Sequence, residues 1–118
     1  MKIVIITGEE SGDELGASLV DALRNSGLNE FELFGIGGSL LLERGMTNFY
    51  HIKEISVMGI IEVIPKILQI KKIINNVTES ILELKPDIVV SIDSPDFTLR
   101  IAKKIKSRNS NIKILHYV

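Results

Sequence analysis

The chain has 118 residues, of which 45% are apolar and 25% charged, so it has the length and composition of one globular domain with its own core. A net charge of -1 gives no electrostatic reason to expect a nucleic-acid partner. There is no cysteine, which excludes disulfides, thiolate catalysis and cysteine-based zinc sites and fits a reducing cytoplasm.

The charges are distributed unevenly along the chain. Residues 1–50 hold three basic and eight acidic residues, whereas residues 51–118 hold eleven basic and seven acidic residues. Lysines concentrate in two groups, which are Lys66, Lys71, Lys72 and Lys103, Lys104, Lys106. Two interpretations stay open: these lysines form solvated helix faces, or they form a surface that meets anionic lipid or phosphate.

The first half of the chain alternates short β-branched runs with segments of helical periodicity. Its first apolar run is too short for the core of a signal peptide and is typical of a strand that is buried on both faces. The predicted elements are a strand at Ile3–Thr7, a helix from Gly12 to about Ser26 that Gly27 ends, a strand at Phe31–Ile36, and a short helix at Leu40–Arg44 that Ser39 caps.

The second half continues this alternation. The predicted elements are a third short strand within Asn48–Val57, a long helix within Gly59–Leu84, a strand at Asp87–Ile92, a helix at Pro95–Arg108 and a strand at Ile112–Val118. The long helix has an apolar stripe wider than one buried face requires, but no stretch reaches the ~18 apolar residues of a membrane span. Strands joined by helices predict an α/β fold with a doubly wound, Rossmann-like parallel sheet.

In such a sheet, ligands bind outside the carboxyl ends of the strands. The sequence therefore predicts one crevice formed by three loops, at Gly8–Asp13, Gly35–Ser39 and Asp93–Phe97. Residues about 80 positions apart would line this crevice together.

The first loop reads G-E-E-S-G-D and lacks the glycine and lysine spacing of the known phosphate loops. Its three carboxylates would repel phosphate and are better suited to accept hydrogen bonds from sugar hydroxyls. The alternative is structural: Ser11 caps the following helix, while Asp13 and Glu14 favour the positive end of its dipole.

The second loop, G-I-G-G at 35–38, allows two interpretations. Its amides hold a phosphate or diphosphate, or it is a structural turn. The two histidines, His51 and His116, belong to no metal-binding pattern, so no metal site is predicted. His116 lies at the carboxyl end of the last predicted strand and is therefore a candidate site residue.

Asp93 and Asp96 flank a Ser-Pro pair where an apolar run ends. With Ser94 as the N-cap and Pro95 as the first helical residue, Asp96 lies near the positive end of the helix dipole, which accounts for it. Asp93 lies at the end of the strand and faces the crevice, where a carboxylate can accept a proton from a hydroxyl nucleophile. The rival assignment makes Asp93 itself the helix cap.

Six motifs together resemble, in order and spacing, the N-terminal part of the lipid-A-disaccharide synthase family. They are G-E-E-S-G-D at 8–13, G-I-G-G at 35–38, V-M-G-I-I-E-V at 57–63, K-P-D at 85–87, I-D-S-P-D-F at 92–97 and H-Y-V at 116–118. The resemblance covers essentially the whole chain. It implies an inverting hexosyltransferase of the two-domain GT-B fold, in which residues 1–118 are the acceptor-binding domain.

The resemblance implies that UDP-2,3-diacylglucosamine is joined to 2,3-diacylglucosamine 1-phosphate, at the cytoplasmic face of the inner membrane of Gram-negative bacteria. The UDP-sugar would bind a C-terminal domain that is absent from these residues, and no cofactor is implied. Asp93 matches the family's proposed general base. The substrate-binding residues expected from the motifs are Gly8, Glu9, Ser11, Gly12, Asp13, Gly37, Gly38, Met58, Glu62, Ser94, Asp96 and His116.

Three departures from the family pattern qualify this expectation. Glu10 stands where a small residue is more usual, and Ser39-Leu40-Leu41 replaces a Pro-Arg-Met-like continuation that would supply a phosphate-binding arginine. The chain also ends at H-Y-V, before a Ser-Pro-Ser-Val-Trp-type segment and the nucleotide domain, so these residues alone are expected to transfer nothing.

Two points stay open. The segment Val57–Ile74 with its lysines is an interfacial helix that takes acyl chains or rests on anionic lipid, or its extra apolar face is covered by another domain or chain. The rival functions are a non-catalytic domain that binds lipid or a partner, and another GT-B sugar-nucleotide enzyme such as an epimerase.

Overall fold

The computed structural model describes residues 1–56, 66–93 and 95–117. The strands are β1 (Lys2–Thr7), β2 (Glu32–Gly37), β3 (Thr47–His51), β4 (Ile88–Ile92) and β5 (Lys113–Tyr117). The helices are α1 (Glu10–Asn25), α2 (Ser39–Glu43), α3 (Ile52–Ser56), α4 (Lys66–Leu84) and α5 (Pro95–Arg108). The strands lie in the order β3-β2-β1-β4-β5 and all pairs are parallel, which confirms the predicted Rossmann-like sheet.

The sheet is covered on both faces, and β1 lies at its centre. Alternate residues of β1 enter two separate cores: Ile3 and Ile5 pack towards α1 and α2, whereas Val4 and Ile6 pack towards α4 and α5. A strand that is buried on both faces has no polar alternation, which explains the continuous β-branched run in its sequence. β1 pairs with β2 on one side and with β4 on the other, so the order of the strands reverses at the β1–β4 pair.

The ends of the first two helices differ in part from the prediction. α1 begins at Glu10, and its N-cap position is occupied by Glu9 without a side-chain cap bond, so the assignment of Ser11 as the cap is wrong. The prediction that Ser39 caps α2 is also wrong, because Ser39 is already helical and Gly38 takes the N-cap position. The end of α1 is as predicted, since Gly27 has a φ of 103° and its N–H bonds the carbonyl of Arg24.

The later elements follow the predicted pattern closely. The weakly patterned third strand is present as β3, and α5 begins at Pro95 and ends at Arg108 as expected. α4 is described from Lys66 onwards, so the predicted beginning of this helix at residues 59–65 lies outside the described residues. Of the helices in the described ranges, none combines the length and apolar character needed to cross a membrane.

Candidate active site

The structure brings the first and the third of the predicted crevice loops into contact. Asp93 follows the last residue of β4, and Ser11 lies in the first turn of α1. The Ser11 hydroxyl donates a hydrogen bond to Oδ2 of Asp93 at 3.4 Å, although the two residues are 82 positions apart. Both follow neighbouring parallel strands, so the carboxyl edge of β1 and β4 forms one site, as the sheet topology predicted.

Asp93 has an unusual backbone conformation that its neighbours hold in place. Its φ is 52°, a left-handed value that only one other non-glycine residue in the described ranges adopts. The N–H of Asp93 donates to the carbonyl of Tyr117 at 3.1 Å, and its own carbonyl accepts from the Thr98 hydroxyl at 2.7 Å. Sparsely populated backbone conformations of this kind persist where the surroundings enforce them, and they cluster at functional sites.

Asp13, in contrast, is turned into the protein. Asp13 is only 4% exposed. Its two carboxylate oxygens accept hydrogen bonds from the backbone amides of Gly38, Leu40 and Leu41 at 2.7, 3.1 and 3.2 Å. This carboxylate therefore caps α2 from another element, which is the role that the sequence had suggested for Ser39. These contacts account for Asp13 without a ligand, and its expected contact with a sugar hydroxyl stays a prediction.

The contacts of Asp13 also correct the interpretation of the second glycine loop. The N–H of Gly38 already donates to the Asp13 carboxylate, so it is not available for a phosphate, and the same carboxylate would repel one. The proposal that the amide of Gly38 holds a phosphate or diphosphate is therefore wrong. Gly37 is explained by packing, because a Cβ atom there would lie 2.7 Å from the Leu41 side chain. Gly35 and Gly37 lie within β2 and Gly38 is the N-cap residue of α2, so this stretch is the junction between a strand and a helix.

The first loop combines exposed side chains with one glycine that packing requires. Glu9 and Ser11 are exposed, and Gly8 is half-buried. Gly12 is buried, and a Cβ atom at this position would lie 1.7 Å from the Thr7 hydroxyl oxygen, so α1 can approach β1 this closely only because residue 12 is glycine. The loop thus presents Glu9 and Ser11 to solvent. Gly12 allows the close approach of α1, which contains Ser11 and has Glu9 as its N-cap residue.

His116 has a partner that the sequence did not reveal. Its Nδ1 lies 2.7 Å from the hydroxyl of Ser91, which is fully buried in β4, and the two residues are directly paired across β4 and β5. Which of the two groups donates depends on the tautomer of the imidazole ring, because a hydroxyl can both donate and accept. Only the strand register brings these residues together, so no local pattern could have identified Ser91.

A polar cleft of about 190 Å³ adjoins the first loop on the side of β2 and β3. Its lining includes Glu10, Glu14, Ser39, His51 and Lys53. The Nδ1 atom of His51 accepts a hydrogen bond from the N–H of Lys53 at 3.1 Å, so in the neutral ring the proton is on Nε2. The sequence left His51 without a role, and its position depends on the β2–β3 pairing, which contains a register shift.

An apolar groove is lined by residues of the packed helices α4 and α5. It consists of two adjoining cavities of about 370 and 400 Å³ that share Ile67 and Arg100. The remaining lining residues are Ile70, Lys71, Ile74, Asp96, Phe97, Lys103 and Lys104. The groove includes Asp96 in the first turn of α5, three residues beyond Asp93 in the chain. Asp96 lies in that first turn, as predicted from the Ser-Pro pair.

Three of the expected substrate-binding residues, Met58, Glu62 and Ser94, lie outside the described residues. In the described ranges, no group of three or more histidine, aspartate or glutamate side chains is arranged to hold a metal ion. At the surface, a hydrogen bond from Arg44 lowers the pKa of Asp21 below its ordinary value of 3.8.

Comparison with known proteins finds a matching family and several similar sequences. A family model described as lipid-A-disaccharide synthetase matches residues 3–118. Lipid-A-disaccharide synthases are similar to the chain at 43% identity in Rickettsia bellii, 39% in Rhodopseudomonas palustris and 37% in Ruegeria pomeroyi. These alignments cover 99%, 99% and 100% of the chain and 30%, 30% and 29% of the relatives, so the chain spans about a third of their length.

A solved structure shares the fold. It is described as a UDP-N-acetylglucosamine 2-epimerase from Listeria monocytogenes, and it aligns with a TM-score of 0.64 over 98% of the chain and 29% of its own length. The identity is only 17%, so this likeness concerns the fold alone.

Proposed function

We propose that this chain, which belongs to the lipid-A-disaccharide synthetase family, supplies the acceptor-binding part of a hexosyltransferase of lipid A biosynthesis. The proposed reaction joins UDP-2,3-diacylglucosamine to 2,3-diacylglucosamine 1-phosphate and releases UDP and the lipid A disaccharide phosphate. The names of the relatives support the reaction class. Because the chain matches about a third of their length, we assign the UDP-sugar to a part of the protein other than residues 1–118.

The proposed chemistry is a direct displacement with Asp93 as the general base. The carboxylate accepts the proton of the acceptor's 6-hydroxyl while that oxygen bonds to the anomeric carbon of the donor. The bond from this carbon to the diphosphate oxygen breaks, and its electron pair leaves with UDP. One displacement at the anomeric carbon inverts its configuration. Positioned proton acceptors of this kind contribute ~10²–10⁴-fold to a rate.

The observation that carries this proposal is the environment of Asp93. The residue is half-buried at the carboxyl end of β4, at the point where the order of the strands reverses. Within the described ranges, the only side-chain hydrogen bond to its carboxylate comes from the neutral hydroxyl of Ser11, at Oδ2. Each carboxylate oxygen has two lone pairs, so this contact leaves the carboxylate able to accept a proton. The exposed Glu9 lies on the same loop as Ser11 and is proposed to position an acceptor hydroxyl.

We assign the acyl chains of the acceptor to the groove between α4 and α5. Its apolar lining, formed by Ile67, Ile70 and Phe97, suits hydrocarbon, and it includes Asp96, three residues beyond Asp93 in the chain. Arg100, Lys71 and Lys103 surround the apolar part with positive charge, which suits a substrate that carries a phosphate.

The same surface is proposed to rest on the cytoplasmic side of the inner membrane. Ile67 and Leu68 are 67% and 55% exposed at the beginning of α4, which is unusual for adjacent large apolar residues. Lysine and arginine residues beside them would be attracted to anionic lipid headgroups. An apolar strip bordered by cations is the pattern of helices that lie in the plane of a membrane surface.

The function is tested in a chimera that contains both substrate-binding parts. Residues 1–118 replace the matching segment of the Rickettsia bellii synthase, which is 43% identical over this segment. Disaccharide formation from both substrates tests the reaction itself. Asp93→Asn and Asp93→Ala are expected to lower kcat by ~10²–10⁴-fold. The matched control is Asp87→Asn at the other end of β4, where an amide oxygen can still accept the N–H of Lys2.

Near-normal kcat in Asp93→Ala would exclude this residue as the base. The purified 118-residue chain is expected to form no disaccharide, because displacement requires donor and acceptor to be held together. Competition with non-acylated glucosamine 1-phosphate tests the substrate class. Weak competition supports an acylated acceptor, whereas competition as strong as that of the diacylated substrate would favour a general sugar-nucleotide enzyme.

A further inference from the structure

The backbone of Asp93 is fixed from both sides by elements that follow it in the chain. Its N–H donates to the carbonyl of Tyr117 in β5, and its carbonyl accepts from the Thr98 hydroxyl in α5. These two bonds lie on either side of the Cα atom and hold the left-handed conformation at a φ of 52°. Because the direction of the Cα–Cβ bond follows from this conformation, the two bonds also set the direction in which the side chain leaves the backbone.

Thr98 is well suited to this role. It is fully buried in the first turn of α5, and the bond from its hydroxyl to the carbonyl of Asp93 is short, at 2.7 Å. A β-branched residue has few allowed rotamers, so the hydroxyl is held firmly once its methyl group is packed. The bond connects Asp93 to a helix whose position the core determines through Ile101 and Ile105, both of them fully buried.

Ser11 acts on the carboxylate itself. Its hydroxyl donates to Oδ2 from the first turn of α1, across the crevice from α5. This contact distinguishes the two carboxylate oxygens, because the Ser11 hydroxyl bonds to Oδ2, and it can therefore orient the carboxylate plane. Ser11 had been expected to bind substrate directly, and this geometry gives it a second role.

We infer that Thr98 is a positioning residue that holds the backbone of Asp93, and that Ser11 orients the carboxylate that receives the proton of the acceptor hydroxyl. This inference rests on the proposed function of Asp93 as the general base. Neither residue forms or breaks a bond in the reaction. A base displaced by ~1 Å can lose ~10²-fold in rate, so a contact that only holds it in place has a measurable effect.

The first test measures kcat and KM in the chimera for three variants. Thr98→Val keeps the shape of the side chain but removes the hydroxyl, and it is expected to lower kcat by ~10–100-fold with little change in KM. Thr98→Ser keeps the hydroxyl and is expected to restore most of kcat. The matched control is Thr78→Val in α4, because Thr78 is also buried and its hydroxyl donates to the carbonyl of Ile74 at 2.6 Å. The Thr78→Val variant is expected to keep the kcat of the parent chimera.

The second test uses the 118-residue chain and does not depend on activity. Amide hydrogen exchange of Asp93 is measured by NMR, because its N–H is bonded to the carbonyl of Tyr117. Thr98→Val is expected to increase exchange at this amide by at least 10-fold, whereas Thr78→Val and Thr98→Ser leave it near the parent value. A merely structural role of Thr98 would instead increase exchange along the whole of α5.

The outcomes separate the two proposals. If Asp93→Asn abolishes transfer but Thr98→Val stays within 2-fold of Thr78→Val in kcat, the positioning role is wrong and the proposed function stands. If Asp93→Asn keeps its kcat, both proposals fail. If Thr98→Val does not fold, Ser11→Ala decides, since Ser11 is exposed and its replacement does not disturb the core. An unchanged kcat and KM in Ser11→Ala would then overturn the inference.

Discussion

The buried carboxylate of Asp13 accepts a hydrogen bond from the N–H of Gly38 at 2.7 Å, and so joins the first turn of α1 to the start of α2. The other two amides bonded to it belong to the same turn of α2. A short helix of five residues has little stability of its own, so α2 depends on this tertiary contact. The substitution of Asp13 therefore gives the clearest prediction for the stability of the fold.

Asp13→Ala is expected to lower the free energy of unfolding by ~2–4 kcal/mol, because it leaves three backbone amides without their acceptor in a buried place. Urea denaturation followed by circular dichroism measures the loss. The control is Glu14→Gln, the neighbouring exposed carboxylate, which is expected to stay within ~0.5 kcal/mol of the parent chain. Equal stabilities of the two variants would contradict the capping role of Asp13.

Gly12→Ala is expected to separate α1 from β1. The added Cβ atom would lie 1.7 Å from the hydroxyl oxygen of Thr7 and 2.8 Å from its Cβ atom, and overpacking of this kind costs ~1–3 kcal/mol. Thr7→Ala removes the closer of these two atoms. The double variant should therefore be more stable than the sum of the single effects, by at least ~0.5 kcal/mol in a double-mutant cycle from urea denaturation. Strict additivity would argue against this contact.

The ion pair between Asp21 and Arg44 predicts a pH dependence of stability. Two hydrogen bonds, at 2.9 and 3.0 Å, connect the carboxylate to the guanidinium, and they lower the pKa of Asp21 in the folded state. A depressed folded pKa stabilises the fold above the ordinary value of 3.8, and this contribution is lost as the pH falls through the lower folded pKa.

Asp21→Asn should therefore lower Tm at neutral pH, and the difference from the parent chain should disappear in acid below the folded pKa. Thermal unfolding between pH 7 and pH 2 measures this difference. Because the pair is at the surface, 1 M salt should also reduce it. A difference in Tm that is independent of both pH and salt would show that the charge of Asp21 is not the cause.

The proposed membrane surface gives a prediction for lipid binding. Ile67→Ser with Leu68→Ser should lower the partitioning of the chain to vesicles of phosphatidylethanolamine and phosphatidylglycerol by ~10-fold or more, because each side chain gains ~1.5–3 kcal/mol on full burial. The matched control is Leu42→Ser on α2, which is also exposed but lies on the opposite face of the sheet. Vesicle sedimentation measures the binding. Equal loss in the control would contradict a surface limited to α4.

Much of the fold follows from local sequence patterns. The bounds of β1, β4 and α5 are predicted within one residue. A continuous β-branched run is typical of a buried strand, and Pro95 favours the first position of a helix. The caps of α1 and α2 were assigned wrongly to Ser11 and Ser39. A local cap competes with tertiary contacts, and here α2 is capped by a carboxylate that is 25 to 28 positions away.

The candidate site was predictable to a similar degree. Asp93 was identified because the helix start explains Asp96 but not its neighbour, and the sheet topology predicted a crevice that includes the first loop. The hydroxyl groups around it were not predictable. The contacts from Ser11 to Asp93 and from Ser91 to His116 depend on strand register and on the angle of α1 against the sheet, which no local pattern encodes.

The central position of β1 has a consequence for synthesis of the chain on the ribosome. β1 is made first, but one of its two neighbours in the sheet, β4, begins only at Ile88. At ~5–20 residues per second, the nascent chain carries an unpaired strand edge, whose four central residues are all apolar, for about 4–16 s. Its early partner β2 protects only one side during that interval. The most aggregation-prone stage of this protein is thus set by the order in which the strands are translated.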